Sequence, residues 1–191
     1  MWRAALGLVL LLAAPALAAE PLAVLDLRSG MSRAEIEALY PEIVLKEVPY
    51  LDPRVGDAYR YIYGGLAILR IEGSGLVQRG PLQASLEVTL TGDRTLYRAG
   101  GRIAEEGVSC ADALARLRER HGAPALGGEV DYTLWREGEV LYATQLEFRC
   151  LDATRGIYRL DLYDPFRERL FHKSLAKRLQ PALEATFQVL R

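Results

Sequence analysis

Cysteine and histidine are scarce in this chain: two of each occur among 191 residues. A zinc cluster built from His121 and His172 would need both cysteines as further ligands. The cysteines are not spaced as C-x-x-C, which disfavours a redox pair. No G-x-S-x-G sequence marks a hydrolase nucleophile. Gly73-Ser74-Gly75 lacks the lysine of a phosphate-binding loop and is interpreted as a turn. We therefore expect no enzyme, no metal and no cofactor.

Long apolar runs are missing too, except near the start of the chain. Residues 4–14 are small or apolar and follow a single arginine, and Pro15-Ala16-Leu17-Ala18 offers small residues for cleavage after Ala18. This pattern predicts a secretory signal peptide at residues 1–18. No cysteine follows the run, so a lipid anchor is not expected. No later segment reaches the ~20 apolar residues of a membrane span.

Excess charge of either sign is absent, since the formal net charge is −1. This balance offers no basic field that would attract nucleic acid. Half of the residues are hydrophobic, which argues against disorder. The 21 arginines against 3 lysines suggest a GC-rich bacterial genome. Together with the signal peptide, they predict a periplasmic or secreted protein, in a compartment that permits disulfides.

One helix-start pattern occurs twice. Ser32 is followed three residues later by Glu35, and Ser109 by Asp112. Each pair predicts a capping box, in which the serine hydroxyl and the acid satisfy free backbone N–H groups of the first turn. The first helix should end before Pro41, and the second should end at Gly122.

Similar strand patterns follow each predicted helix. Residues 58–73 predict a hairpin that turns at Gly64-Gly65, and residues 130–150 predict one that turns near Glu137-Gly138. Residues 82–93 and 156–164 then alternate apolar and polar side chains, as a half-buried strand does. The offset between matching positions is 72–77 residues, so the sequence predicts a duplicated unit of one helix and three strands.

The predicted fold is therefore α+β, with two tandem repeats of a helix and an antiparallel meander, helices on one face of the sheet, and a C-terminal helix. The boundaries are residues 19–100 and 101–165 for the repeats and 166–191 for the amphipathic tail. Its apolar stripe is formed by Phe166, Leu170, Phe171, Leu175 and Leu179, and basic residues occupy the rest.

The two cysteines are predicted to form a disulfide. Cys110 lies in the first turn of the second helix, and Cys150 ends a strand on the same face as Leu146 and Phe148. If the helix covers the sheet, these two side chains can meet.

The repeated unit resembles a known family. Gly107-Val108-Ser109, Asp112 and Gly122-Ala123-Pro124 are similar to the helix of the SmpA/OmlA outer-membrane assembly lipoproteins, and Gly30-Met31-Ser32 with Glu35 gives the same opening. A doubled unit in an exported chain resembles the β-lactamase-inhibitor-protein fold. That resemblance implies a saddle whose concave sheet grips a partner.

A tyrosine stripe is the candidate binding surface. Alternation places Tyr59, Tyr61 and Tyr63 on one face of a strand, and the equivalent positions of the second unit are Tyr132, Leu134 and Arg136. Either face could be the core, but Arg136 favours an open one, where tyrosines suit partner recognition. The leading hypothesis is a non-catalytic binding module for an envelope or secreted protein. The alternative is a periplasmic carrier of a small ligand or lipid.

Overall fold

The computed structural model describes residues 20–49, 69–138, 141–174 and 177. These residues form an α+β protein built around one large antiparallel sheet. The sheet has eight strands in the described residues: β3 (Val44–Pro49), β4 (Leu69–Arg79), β5 (Leu82–Leu90), β6 (Leu96–Glu105), β7 (Leu126–Gly127), β8 (Thr133–Glu137), β9 (Thr144–Asp152) and β10 (Ile157–Tyr163). A two-stranded hairpin precedes them, with β1 (Ala23–Val24) and β2 (Leu27–Arg28).

The strand order is β3-β4-β5-β6-β10-β9-β8-β7. The strands β3 to β6 follow one another from one edge of the sheet to its middle. The strands β7 to β10 follow one another from the opposite edge back to the middle. As a result β6 and β10, the last strand of each group, are hydrogen-bonded neighbours at the centre of the sheet.

Three helices lie within the described residues: α1 (Arg33–Leu39), α2 (Cys110–His121) and α3 (residues 165–174, with residue 177 also helical). The capping boxes predicted at Ser32 and Ser109 are both present, and the helices end before Pro41 and at Gly122, as expected. Hydrogen bonds from Ser32 hold the pKa of the Glu35 carboxyl below its ordinary value, which favours the charged capping form.

The core lies on one side of the sheet. Along β5, Ala84, Leu86, Val88 and Leu90 are buried, while Gln83, Ser85 and Glu87 are exposed. Buried side chains of both earlier helices, Ile36 and Leu114, belong to the same apolar cluster as this face. The small hairpin adds Val24 and Leu27, both fully buried, and its strands contact β6 and β10.

Gly73-Ser74-Gly75 is not the turn that the sequence predicts, because this run lies inside β4. The reason is packing. A side chain at Gly75 would come within 2.5 Å of the backbone oxygen of Glu42, and one at Gly73 within 2.4 Å of Leu45. At Gly75, the backbone of the segment that enters β3 passes so close to the strand that only glycine fits.

The meander also differs from the prediction of three strands per unit. β3 and β6 were not expected, and the Gly100-Gly101 pair inside β6 looks like a strand breaker in sequence. The expected strands at residues 82–93 and 156–164 correspond to β5 and β10, and β8 pairs with β9 as a hairpin. The predicted signal peptide at residues 1–18, the predicted turn at Gly64-Gly65 and residues 175, 176 and 178–191 of the predicted tail lie outside the described residues.

Candidate functional site: the open face of the sheet

The face of the sheet opposite the core carries polar and charged side chains, and it forms the candidate site. Strand alternation creates it: in β10, Tyr158, Leu160 and Leu162 are buried, whereas Arg159 and Asp161 between them are only partly buried. The same alternation runs through β5, β6 and β9. We call this surface the open face.

Strand register gathers like charges into two rows across the open face. Arg102, Arg159 and Arg149 lie opposite one another on β6, β10 and β9. The neighbouring row contains Glu87, Gly100, Asp161 and Glu147, on β5, β6, β10 and β9. A basic row and an acidic row therefore run side by side across the middle of the sheet.

Ion pairs between the rows neutralise part of this charge. Arg159 forms a two-pronged contact with Asp161, with Nε–Oδ2 at 2.7 Å and Nη2–Oδ1 at 2.8 Å, and it lies 3.7 Å from Glu87. Arg149 forms an ion pair through its Nε with Glu147 on the same strand. The hydrogen bonds to Asp161 raise the pKa of the Arg159 guanidinium above its ordinary value, so this group stays charged.

Gly100 makes room for this pair on the central strand. A Cβ atom at that position would lie 2.5 Å from Oδ1 of Asp161 and 3.1 Å from Nη2 of Arg159. Because glycine has no side chain, the Arg159–Asp161 pair can lie flat over β6.

Two further arginines, Arg98 and Arg102, lie on β6 and are exposed. Neither forms an ion pair with another residue in the part of the chain that the structure describes. They lie two residues to either side of Gly100. Their guanidinium groups are the cations at the centre of the open face that are available to an incoming group.

Two grooves meet at this centre. One, of about 540 Å³, extends towards the β3 edge, where Val44, Lys46 and Val48 line it. The other, of about 490 Å³, extends towards β8 and α3, where Leu134, Gln145 and Glu168 line it. Arg98, Arg159 and Asp161 line both grooves.

Apolar side chains stand at the two wings of the open face. Leu76 of β4 is 79% exposed and Val44 of β3 is 59% exposed; on the opposite wing, Leu151 of β9 is 51% exposed. These side chains give the open face some apolar contact area on either side of its charged centre.

The helix α3 borders the second groove through Glu168. The hydroxyl of Tyr163, on the open face of β10, donates a hydrogen bond to the Glu168 carboxylate. Burial, together with that carboxylate, raises the pKa of Tyr163, so the phenol remains a donor at any physiological pH.

The predicted binding residues are only partly within the described region. Tyr59, Tyr61 and Tyr63 lie outside it. Arg136 is exposed and lies opposite Gln145, on the open face. Tyr132 is half-buried, and the Arg149 guanidinium lies 5.9 Å from the centre of its ring. Leu134, between Tyr132 and Arg136 on the same face, is buried, and so are Thr133 and Trp135 at the alternate positions of β8.

The central charged residues were not selected from the sequence. Arg159 and Asp161 show the alternation that places them opposite the core, and this was the one signal available. Arg98 belongs to β6, a strand that the sequence pattern does not predict, and pairing between β6 and β10 places it opposite Tyr163, over the same grooves as Arg159. A sequence separation of about 60 residues hides this arrangement.

The disulfide lies on the other side of the sheet. Cys110 and Cys150 are bonded, with Cα atoms 5.7 Å apart, the pairing expected from the sequence. The bond ties the start of α2 to β9 at the core face, where Cys150 lies opposite Tyr158. His121, the last residue of α2, is buried against the edge of Trp135, and its Nδ1 lies 3.1 Å from the Glu20 carbonyl oxygen.

Within residues 20–49, 69–138, 141–174 and 177, no three His, Cys, Asp or Glu side chains are grouped to hold a metal ion. In the same residues, no helix combines the length and the apolar character needed to cross a bilayer. Comparisons with models of protein families, with curated proteins and with solved structures find no match to this chain.

Proposed function

We propose that this chain is an exported, non-catalytic binding module that holds a protein partner on the open face. The observation that carries the proposal is the arrangement of that face: a charged centre, two grooves that meet there, and exposed Leu76 and Leu151 on the wings. Apolar contacts at the wings would supply affinity, and the charged rows would select the partner and fix its orientation.

The groups in the grooves suit recognition better than catalysis. Arg159 and Asp161 are engaged with each other, and so are Arg149 and Glu147. Each of these groups already has an ionic partner of opposite charge, an arrangement that suits charge complementarity with a partner protein. We therefore assign these residues to partner contact and not to a reaction.

The proposal includes a duplicated fold. One unit would comprise α1 and β3–β6, residues 33–105, and the other α2 and β7–β10, residues 110–163. Matching capping boxes at Ser32 and Ser109 support the duplication, and so does a strand order in which both units end at the centre of the sheet. The proposal extends to a likeness to SmpA/OmlA-like domains and to the saddle of β-lactamase-inhibitor proteins.

The proposed location is the periplasm or the exterior, after removal of residues 1–18. The disulfide supports it, since such bonds persist in oxidising compartments and are rare where thiols are kept reduced. A lipid carrier is the weaker candidate. An acyl chain needs an enclosed apolar cavity, and both grooves have charged side chains along their floor.

Photocrosslinking in intact cells tests the proposal. A photoreactive amino acid is placed at Thr89 in the first groove and at Gln145 in the second, with the exposed Glu119 of α2 as the control position. We expect one discrete protein adduct, shared by the two groove positions and absent at Glu119.

A pair of charge-reversal variants then tests the site itself. Arg98→Glu changes a cation shared by both grooves and should abolish the adduct. Arg28→Glu makes the same charge change at an exposed arginine outside the grooves and should leave the adduct intact. The proposal fails if the adduct forms equally at Glu119, or if both reversals act alike. Recovery of lipid in place of a protein adduct would support the carrier function instead.

A further inference from the structure

One side of α3 combines large apolar side chains with cations. Positions 166, 169, 170, 173 and 177 recur at helical spacing, so they lie on one side of the helix. They are Phe166, Arg169, Leu170, Lys173 and Lys177, and all five are exposed. We call this set the tail face.

The opposite side of α3 is fastened to the body of the protein. Asp164 is buried and caps the helix by accepting a hydrogen bond from the backbone N–H of Arg167. The Arg167 side chain donates to Ser29 Oγ at 3.1 Å, and Glu168 accepts from Tyr163. These bonds fix the rotation of the helix, so the tail face is held towards solvent.

Apolar contacts enlarge the tail face beyond the helix. The Tyr142 ring meets Phe166 edge to face, with ring centres 5.9 Å apart, and the Arg169 guanidinium lies 4.9 Å from the Tyr142 ring centre. Leu141 directly precedes Tyr142 in the β8–β9 connection and is 82% exposed. Phe166 and Leu170 are each 48% exposed. Such a group of aromatic and aliphatic side chains is costly to leave in water.

The charge of the tail face is entirely positive. Arg169, Lys173 and Lys177 form no ion pair with any residue in the described part of the chain, although the whole chain carries a net charge of −1. A solvated helix face usually mixes both signs. Apolar groups set among cations alone fit a surface that offers phosphate charge above a hydrocarbon layer.

We propose that the tail face docks on an anionic lipid bilayer. Phe166, Leu170 and Leu141 enter the boundary between headgroups and acyl chains, and Arg169, Lys173 and Lys177 contact lipid phosphates. The helix lies in the plane of the surface. This proposal does not depend on the function assigned to the open face, because it rests on different residues.

Vesicle flotation tests the lipid specificity. The purified protein is mixed with vesicles of equal phosphatidylglycerol and phosphatidylcholine or of phosphatidylcholine alone, and the bound fraction gives the partition coefficient. We expect binding to the anionic vesicles, weakened by salt, and little binding to the neutral ones. Arg169→Glu with Lys173→Glu should lower the coefficient about 30-fold or more, since each cation near an anionic surface contributes about fivefold.

The control is a double reversal of the same charge elsewhere, Arg102→Glu with Arg136→Glu. Both residues are exposed on the open face and belong to no ion pair in the described residues. All variants share one N-terminus, so the ratio between them reports on the tail face. The proposal is overturned if the protein ignores phosphatidylglycerol, or if the two double variants lose binding equally.

A fluorescence variant separates a bilayer from an acidic protein surface. In Leu170→Trp, the added emission should shift to the blue with anionic vesicles, because the indole leaves water. Soluble polyglutamate supplies charge without a hydrocarbon layer and should cause no shift. An unshifted emission with vesicles, or equal binding to polyglutamate, would assign the tail face to an acidic macromolecule and refute the bilayer.

Discussion

Removal of the disulfide should destabilise this protein by an amount that the structure allows us to calculate. The Cys110–Cys150 bond closes a loop with a sequence separation of 40 residues. In the chain-entropy description, a loop of that length raises the free energy of unfolding by about 4 kcal/mol at 25 °C, because it restricts the unfolded chain. The variant Cys110→Ala with Cys150→Ala should therefore lose about 4 kcal/mol.

Packing changes should add little to this loss. Cys110 is buried at the start of α2, and Cys150 is partly buried beside it, so alanine removes only the two sulfur atoms from the contact. The cap at Ser109 precedes the replaced position and involves neither sulfur. Because α2 keeps its capping box, we expect the variant to fold, with a melting temperature lower by roughly 8–16 °C.

Urea unfolding followed by circular dichroism measures the effect. The variant should also show a larger dependence of the unfolding free energy on urea, since its unfolded chain exposes more surface. The wild type in reducing agent is the matched control and should approach the variant. A loss below about 1 kcal/mol, with the bond verified in the wild type by mass spectrometry, would refute the entropic reasoning.

Two further predictions concern buried contacts. Burial lowers the pKa of His121 below its ordinary 6.5, so below that pH the unfolded chain binds a proton more readily than the folded chain. The free energy of unfolding should therefore fall as the pH decreases below 6.5. In urea titrations from about pH 7.5 to 5, His121→Phe should flatten this pH dependence. An unchanged slope would exclude His121 as its source. Gly75→Ala should cost on the order of 2 kcal/mol, because its Cβ would meet the Glu42 backbone at 2.5 Å, whereas the exposed Ser74→Ala should stay within about 0.5 kcal/mol. Equal melting temperatures of these two variants would contradict the close approach of the segment before β3 to Gly75 of β4.

Local signals in the sequence determined the helix starts and several strands. The Ser32 and Ser109 caps act within four residues, so their pattern is legible without the fold, and both are present. Alternation of apolar and polar residues likewise identified β5 and β10, since a half-buried strand imposes it directly. The cysteine pairing was predictable because one cysteine begins a helix and the other faces the core near a strand end. Two such positions can meet when the helix covers the sheet.

The tertiary structure alone decided which strands are neighbours and what the open face contains. Gly73 and Gly75 look like a turn because glycine favours bends. In the structure they lie inside a strand, where residues 42–45 pass close to both glycines. Arg98 and Arg159 are 61 positions apart, and only the pairing of β6 with β10 places them over the same two grooves. Local propensity acts over a few residues, whereas strand pairing acts across the whole chain, and for that reason the elements were predictable and the charged centre of the site was not.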